Sequence, residues 1–244
     1  MLVTLAATGC SNNGPSRTVA STQAVTTSTA AEPAPPERPA ARDRAVVHGR
    51  ATLDGRPFDA RFVGAVVLHD GLVTPCQFSL PPVTHGKYSI TVYADTESKG
   101  CGAQGTRVAL WTYARGKTMY SAESVDWPGN GRAAAFAPHF STSAPHGAVP
   151  VTAQFSGSVF EGNDELPPGT TVEAYVGRTR CGVASVRASD GFTGYVLAVV
   201  GPDSIAACIR GARLSFHVNG KVAASAPVRN TPPGRQELLD LALL

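Results

Sequence analysis

Residues 155–185 of this chain read "FSGSVFEGNDELPPGTTVEAYVGRTRCGVAS", and residues 47–78 read "VHGRATLDGRPFDARFVGAVVLHDGLVTPCQF". When the two stretches are aligned, Gly157 falls on Gly49 and Cys181 falls near the position of Cys76. Turn residues and short apolar runs follow in the same order in both stretches. The chain therefore contains an internal repeat.

The repeat continues beyond these stretches. Tyr88 lies 13 residues before Cys101, and Tyr195 lies 13 residues before Cys208. The period of about 105 residues is too long for one unit of a solenoid, so it predicts two tandem domains. We expect the first domain, the linker and the second domain to occupy residues 46–141, 142–150 and 151–244. We also expect each domain to fold alone when it is oxidised.

Each copy contains about seven runs in which apolar and polar residues alternate, such as "YSITVYA" and "LSFHVNG". Gly, Asp, Asn and Pro separate these runs, and the whole chain holds 25 Gly and 19 Pro. This pattern predicts an all-β fold with two antiparallel β-sandwiches of about seven strands each.

Four of the five cysteines are explained by the repeat. They permit three pairings, but one pair falls in each copy, with separations of 25 and 27 residues. The repeat therefore predicts the disulfides Cys76–Cys101 and Cys181–Cys208, which would require an exported location. Free thiols or a metal site are the alternatives. Neither copy has a CxxC motif, and two cysteines alone are too few ligands for tetrahedral zinc.

The fifth cysteine, Cys10, follows a short apolar segment and the small residues Ala7-Thr8-Gly9. This segment resembles a bacterial lipobox, although Leu is usual at the position of Ala7. The resemblance implies that the Cys10 thiol is alkylated with diacylglycerol and that cleavage makes Cys10 the new N-terminus. An ordinary signal peptide or an accidental cysteine is the alternative. A signal peptide also needs a basic region, so we expect residues 1–10 to be the remnant of a signal that starts upstream.

Residues 11–45 are rich in Ser, Thr, Ala and Pro and contain no aromatic residue. Such a segment cannot bury enough apolar surface to offset its ordering entropy, so it predicts a disordered tether. A lipidated cysteine followed by a polar tether is typical of a globular head held outside the cell membrane. We therefore expect an extracytoplasmic, lipid-anchored location.

The charge distribution excludes a typical nucleic-acid binder. The net charge is +3, with nine Lys/Arg and seven Asp/Glu in residues 46–141 and eight of each in residues 151–244. A nucleic-acid-binding domain would concentrate basic residues. The predicted partners are the membrane, through the lipid, and either a cell-wall glycan or another surface protein.

Catalytic signatures are missing from the sequence. It contains no HExxH, Gly-x-Ser-x-Gly, P-loop, EF-hand or Rossmann motif, and its six histidines are dispersed. We predict no catalytic residue, cofactor or metal. The candidate ligand contacts are the aromatic residues Trp111, Tyr113 and Trp127. Trp111 and Tyr113 share one face of a predicted strand. If that face points outward the two rings can stack on a sugar or a partner, and if it points inward they belong to the core.

The second copy carries a family resemblance. Its turn and core motifs are Pro168-Gly169-Thr170, Cys181-Gly182 and the run "FHVNG" at residues 216–220. They resemble the prealbumin-like, carboxypeptidase-regulatory-like sandwich repeats of bacterial surface and secreted proteins. The first copy departs from this pattern, with Arg61-Phe62 where Gly-Thr would stand. The resemblance implies that the sandwiches are of the Ig-like or prealbumin-like kind and that their setting is extracellular.

These features favour a non-catalytic, lipid-anchored surface protein that presents two disulfide-linked sandwiches for binding or structural spacing. The alternative is an exported carbohydrate-binding or accessory module that acts beside a separate enzyme. A hydrolase of unrecognised type is a third interpretation, which a deep pocket with a perturbed carboxylate or histidine would favour.

Overall fold

The computed structural model describes residues 43–189, 192–232 and 236–244. These residues form strands, turns and loops without an α-helix, which confirms the all-β sandwich class. Among the described residues, no helix has the length and the apolar character that spanning a bilayer requires.

The N-terminal half, residues 43–150, contains the first eleven strands. These are β1 (Arg44–Arg50), β2 (Thr52–Leu53), β3 (Arg56–Pro57), β4 (Val63–His69), β5 (Leu72–Pro75), β6 (Lys87–Tyr93), β7 (Arg107–Ala114), β8 (Lys117–Tyr120), β9 (Val125–Asp126), β10 (Ala133–Ala135) and β11 (His139–Phe140).

The C-terminal half, residues 151–244, contains the other eleven. These are β12 (Thr152–Gly157), β13 (Val159–Glu161), β14 (Asp164–Glu165), β15 (Thr171–Val176), β16 (Thr179–Ser185), β17 (Arg187–Ser189), β18 (Phe192–Val200), β19 (Ser215–Val218), β20 (Lys221–Ala223), β21 (Gln236–Leu238) and β22 (Leu241–Leu243).

The two halves share one pairing scheme. β1 pairs antiparallel with β6 and parallel with β10, and β12 pairs in the same way with β18 and β21. The order β5-β4-β7-β8 in the first half corresponds to β16-β15-β19-β20 in the second. The repeat seen in the sequence is therefore present in the strand topology.

Two details differ from the sequence-based expectation. The strands are shorter and more numerous than about seven per half, and the closing strand of each half pairs parallel rather than antiparallel with the first. A parallel pair cannot be joined by a tight hairpin. Each closing segment instead returns by a longer connection. It pairs first with β1 or β12, crosses the chain where that strand ends, and then pairs with β2 or β13.

The matched glycines and tyrosines explain how this crossing fits. A Cβ on Gly49 would lie 1.9 Å from the Phe136 carbonyl oxygen, and a Cβ on Gly157 would lie 2.2 Å from that of Leu239. Tyr88 and Tyr195, which pair with these glycines, donate their hydroxyls to the same two carbonyl oxygens at 2.8 and 2.6 Å. In each half the glycine therefore leaves room for the closing chain because it has no side chain, and the tyrosine holds that chain by a hydrogen bond.

Each half has a core between two sheets. In the N-terminal half, Val47 and Ile90 of the β10-β1-β6 sheet pack into one cluster with Val67 and Leu110 of the β5-β4-β7-β8 sheet. In the C-terminal half, Phe155 and Phe216 meet edge to face with their ring centroids 5.8 Å apart. The two sheets of each half are therefore packed as a sandwich.

The halves also share a core with each other. Leu72 and Val73 of β5 belong to the same buried cluster as Val183 of β16 and Val200 of β18. The β5-β4-β7-β8 sheet is therefore buried on both faces at β4 and β5. The described residues form one compact unit, so the boundaries of two separate domains stay a prediction.

Candidate functional site

Both predicted disulfides are present. Cys76 bonds to Cys101 with 5.5 Å between their Cα atoms, and Cys181 bonds to Cys208 with 5.8 Å. Within the N-terminal half, the backbone of Cys76 donates to Ala65 and accepts from Tyr93. The first disulfide therefore anchors the loop after β6 at a point that is hydrogen-bonded to both sheets.

The predicted lipidation site lies outside the described residues, as do residues 1–10 and most of the predicted tether. The described chain begins at Asp43, and β1 begins at Arg44, one residue before the predicted end of the tether at residue 45. Arg44 forms an ion pair with Glu97, and Ala45 is buried. Residues 44 and 45 therefore belong to the first strand.

The three candidate aromatic residues do not form one site. Trp111 lies on β7 and packs edge to face on Phe62 at 5.3 Å. Its indole also fills the space over Gly64, where a Cβ would lie 2.2 Å from Nε1. Tyr113 shares the Trp111 face of β7 and is 52% exposed. Trp111 is therefore a packing residue, whereas Tyr113 stands alone at the surface.

Trp127 directly follows β9 and contributes to a different feature, which we call the Trp127 groove. The groove has a volume of about 420 Å³ and is lined by residues 94–96, 102–104 and 127–130. The indole is partly buried and rests on Gly102, where a Cβ would lie 2.2 Å from Cε3. One aromatic ring therefore forms part of an open depression that is lined by both apolar and polar residues.

One wall of the groove is the hydrogen-bonded loop at residues 94–106, which we call the disulfide loop because it contains Cys101. The Asp95 carboxylate accepts from the Gly100 N–H at 2.7 Å and from Lys99 Nζ at 2.8 Å. The Thr106 hydroxyl accepts from the Ala103 N–H at 3.1 Å and donates to its carbonyl at 2.8 Å. Because the Cys76–Cys101 disulfide anchors this loop as well, the wall is pre-organised.

A second feature lies between the halves, and the sequence did not indicate it. Arg187 of β17 donates to the Ser98 hydroxyl at 2.8 Å and to the Pro75 carbonyl, and its guanidinium lies 4.8 Å from the centre of the Tyr93 ring. Burial lowers the pKa of Arg187 to about 10, so the side chain stays charged at neutral pH. Arg187 therefore links the second sandwich to the disulfide loop of the first.

The described residues hold few groups arranged for acid–base chemistry. His139 and Glu123 lie 2.8 Å apart, but the pair is exposed and does not line a described cavity. Burial raises the pKa of Glu123, hydrogen bonds from His139 lower it, and the net pKa lies below the ordinary value. No group of three or more His, Cys, Asp or Glu side chains in the described ranges is placed to hold a metal ion.

Comparisons with known proteins show no family for this chain. No family model matches it, and no curated protein matches it. Two mutant structures of the shaft pilin SpaA from Lactobacillus rhamnosus GG are similar to it at 8% and 7% identity, each with a TM-score of 0.21. These similarities cover 83% of this chain and 98% and 97% of the pilin chains. At this TM-score the likeness carries no argument about function.

Proposed function

We propose that this chain is a non-catalytic, extracytoplasmic surface protein, anchored by lipid at Cys10, whose two sandwiches serve binding or structural spacing. The observation that carries the proposal is the pair of disulfides, one inside each half. Disulfides persist in oxidising compartments and are rare in the reducing cytosol. They support export, and the lipobox-like segment supplies the mode of attachment.

The length of the proposed tether suits this role. About 34 residues separate Cys10 from β1, and a chain of that length that behaved as the predicted tether would have a typical end-to-end distance of roughly 30 Å. That reach holds the sandwiches clear of a membrane surface without fixing their orientation.

The joint between the halves supports the spacing role. The predicted linker at residues 142–150 is docked on the first sandwich: the Tyr120 N–H donates to the Pro145 carbonyl at 2.8 Å, and Val149 is buried. With Arg187 and the shared apolar cluster, this contact joins the two proposed domains, residues 46–141 and 151–244, into one body.

A second candidate function is that of an exported carbohydrate-binding module acting beside a separate enzyme. The Trp127 groove favours it, because the groove places an aromatic ring among polar side chains.

Fractionation of bacteria that export the chain tests the anchored role. We expect the chain in the membrane fraction, and we expect Cys10→Ala to move it to the soluble exported fraction. Ser11→Ala is the matched control and is expected to stay with the membrane. Equal membrane association of the Cys10→Ala chain would contradict the proposal.

A further inference from the structure

We propose that the Trp127 groove binds one sugar ring of a neutral glycan. This inference rests on the binding role proposed above and names its ligand class. At about 420 Å³, the groove lies within the usual range for small-molecule sites, about 300–1,000 Å³.

The apolar part of the groove suits a flat, partly apolar ring. Gly102 lets the Trp127 indole lie against the disulfide loop, and Pro128 continues the apolar surface. A pyranose presents a face of C–H groups that can pack on such a surface. Aromatic side chains that are apolar on one side and wet on the other are suited to this kind of contact.

The polar part suits hydroxyl groups. Gln104 and Asn130 line the groove, are exposed, and make no side-chain hydrogen bond to the described residues. Each carboxamide offers both donors and an acceptor, and a sugar hydroxyl needs the same combination. The carboxylate of Asp95 keeps further acceptor capacity beside its two bonds, since each oxygen has a second lone pair.

The charge of the groove favours a neutral ligand. Asp95 is the only charged residue among those that line it, and no lysine or arginine lines it. Lys99 Nζ lies 2.8 Å from the Asp95 carboxylate and offsets its charge, and the lining offers no cation of its own to attract an anionic sugar or a phosphate. A neutral glycan needs no such attraction.

Pre-organisation also favours binding. The Cys76–Cys101 disulfide and the Asp95 hydrogen bonds hold one wall before a ligand arrives. A rigid site loses less conformational freedom on binding than a flexible loop does.

The test uses the oxidised full-length chain and isothermal titration calorimetry. The probes are maltohexaose, cellohexaose, mannohexaose and chitohexaose, with hexagalacturonate as the anionic comparison. We expect at least one neutral probe to bind and hexagalacturonate to bind more weakly. In the variant Gln104→Ala/Asn130→Ala, affinity for the bound probe falls by about tenfold or more, because two hydrogen bonds are lost.

Asn163→Ala is the matched control, because Asn163 is an exposed carboxamide in the C-terminal half, outside the groove. We expect its affinity to be unchanged. Binding by none of the four neutral probes, unchanged affinity in the double variant, or tighter binding of hexagalacturonate would each overturn the proposal. These results are separate from the anchoring test, since purified protein binds or fails to bind regardless of where the cell places it.

Discussion

The shared core predicts that the two halves unfold together. Val183 of β16 is 3% exposed and packs on Gly100 of the N-terminal half. The contact is so close that a Cβ on Gly100 would lie 2.5 Å from Val183 Cγ1. Val183→Ala deletes two buried methyl groups and leaves a cavity, which costs about 2–3 kcal/mol. For a unit of about 200 residues this lowers Tm by roughly 5–10 °C.

The aromatic residues supply the assay. Both tryptophans lie in the N-terminal half, so tryptophan fluorescence reports on that half, whereas far-ultraviolet circular dichroism reports on both. The decisive variant is Val218→Ala, an equal deletion at a fully buried site on β19, whose sheet neighbours all belong to the C-terminal half. We expect both variants to lower the midpoint of thermal unfolding, whether it is followed by tryptophan fluorescence or by circular dichroism, and to lower the two midpoints together.

Val218→Ala also distinguishes joint unfolding from the autonomous folding expected from the repeat alone. If the fluorescence midpoint stays unchanged while circular dichroism gains an earlier transition, the halves are independent and the reasoning from the shared core is wrong.

Three further predictions concern stability. Tyr195→Phe leaves the buried Leu239 carbonyl without its hydrogen-bond donor, so chemical denaturation should show a free energy of unfolding that is lower by about 1–3 kcal/mol. An unchanged denaturation midpoint would contradict the role of this hydroxyl. Replacing Cys181 and Cys208 with Ala opens a loop of about 27 residues and should cost about 3.5 kcal/mol, and peptide mapping of the unreduced wild type should recover no cross-domain linkage. Hydrogen bonds from Thr142 hold the pKa of Asp54 below its ordinary value of 3.8, so this carboxylate stabilises the fold above that pH and loses its contribution as the pH falls through the folded-state pKa. A carboxyl NMR titration with a midpoint at or above 3.8 would contradict this.

The sequence predicted the repeated elements because each has a strict local requirement. Gly49 and Gly157 stand at matched positions since a side chain there would collide with the closing chain. The matched cysteines pair because the topology brings the same two loops together in each half. Positions of this kind keep their spacing in both copies, so one alignment of the chain with itself reveals them.

The joint between the halves was not predicted, because contacts between repeats have no counterpart within a repeat. The run "VGAVV" at residues 63–67 is apolar without alternation, which is typical of a strand buried on both faces, and it was the available signal. Arg187 gave no such signal, since an arginine in a sequence is most often exposed.

The candidate site was predicted only in part. Sequence reasoning selected Trp127 as an aromatic residue and grouped it with Trp111 and Tyr113, but the structure places Trp127 beside the disulfide loop and Trp111 in a packed contact. Strand alternation assigned a shared face to Trp111 and Tyr113. It contains no information on the loops at residues 94–106 and 127–130, whose relative placement creates the groove.

Mass spectrometry of the N-terminal peptide, from protein purified out of bacterial membranes, tests whether the chain is exported and attached to the membrane through Cys10. We expect a peptide that begins at Cys10 and carries the mass of a diacylglyceryl group on its thiol. A peptide that begins elsewhere, or one in which Cys10 is unmodified, would contradict it.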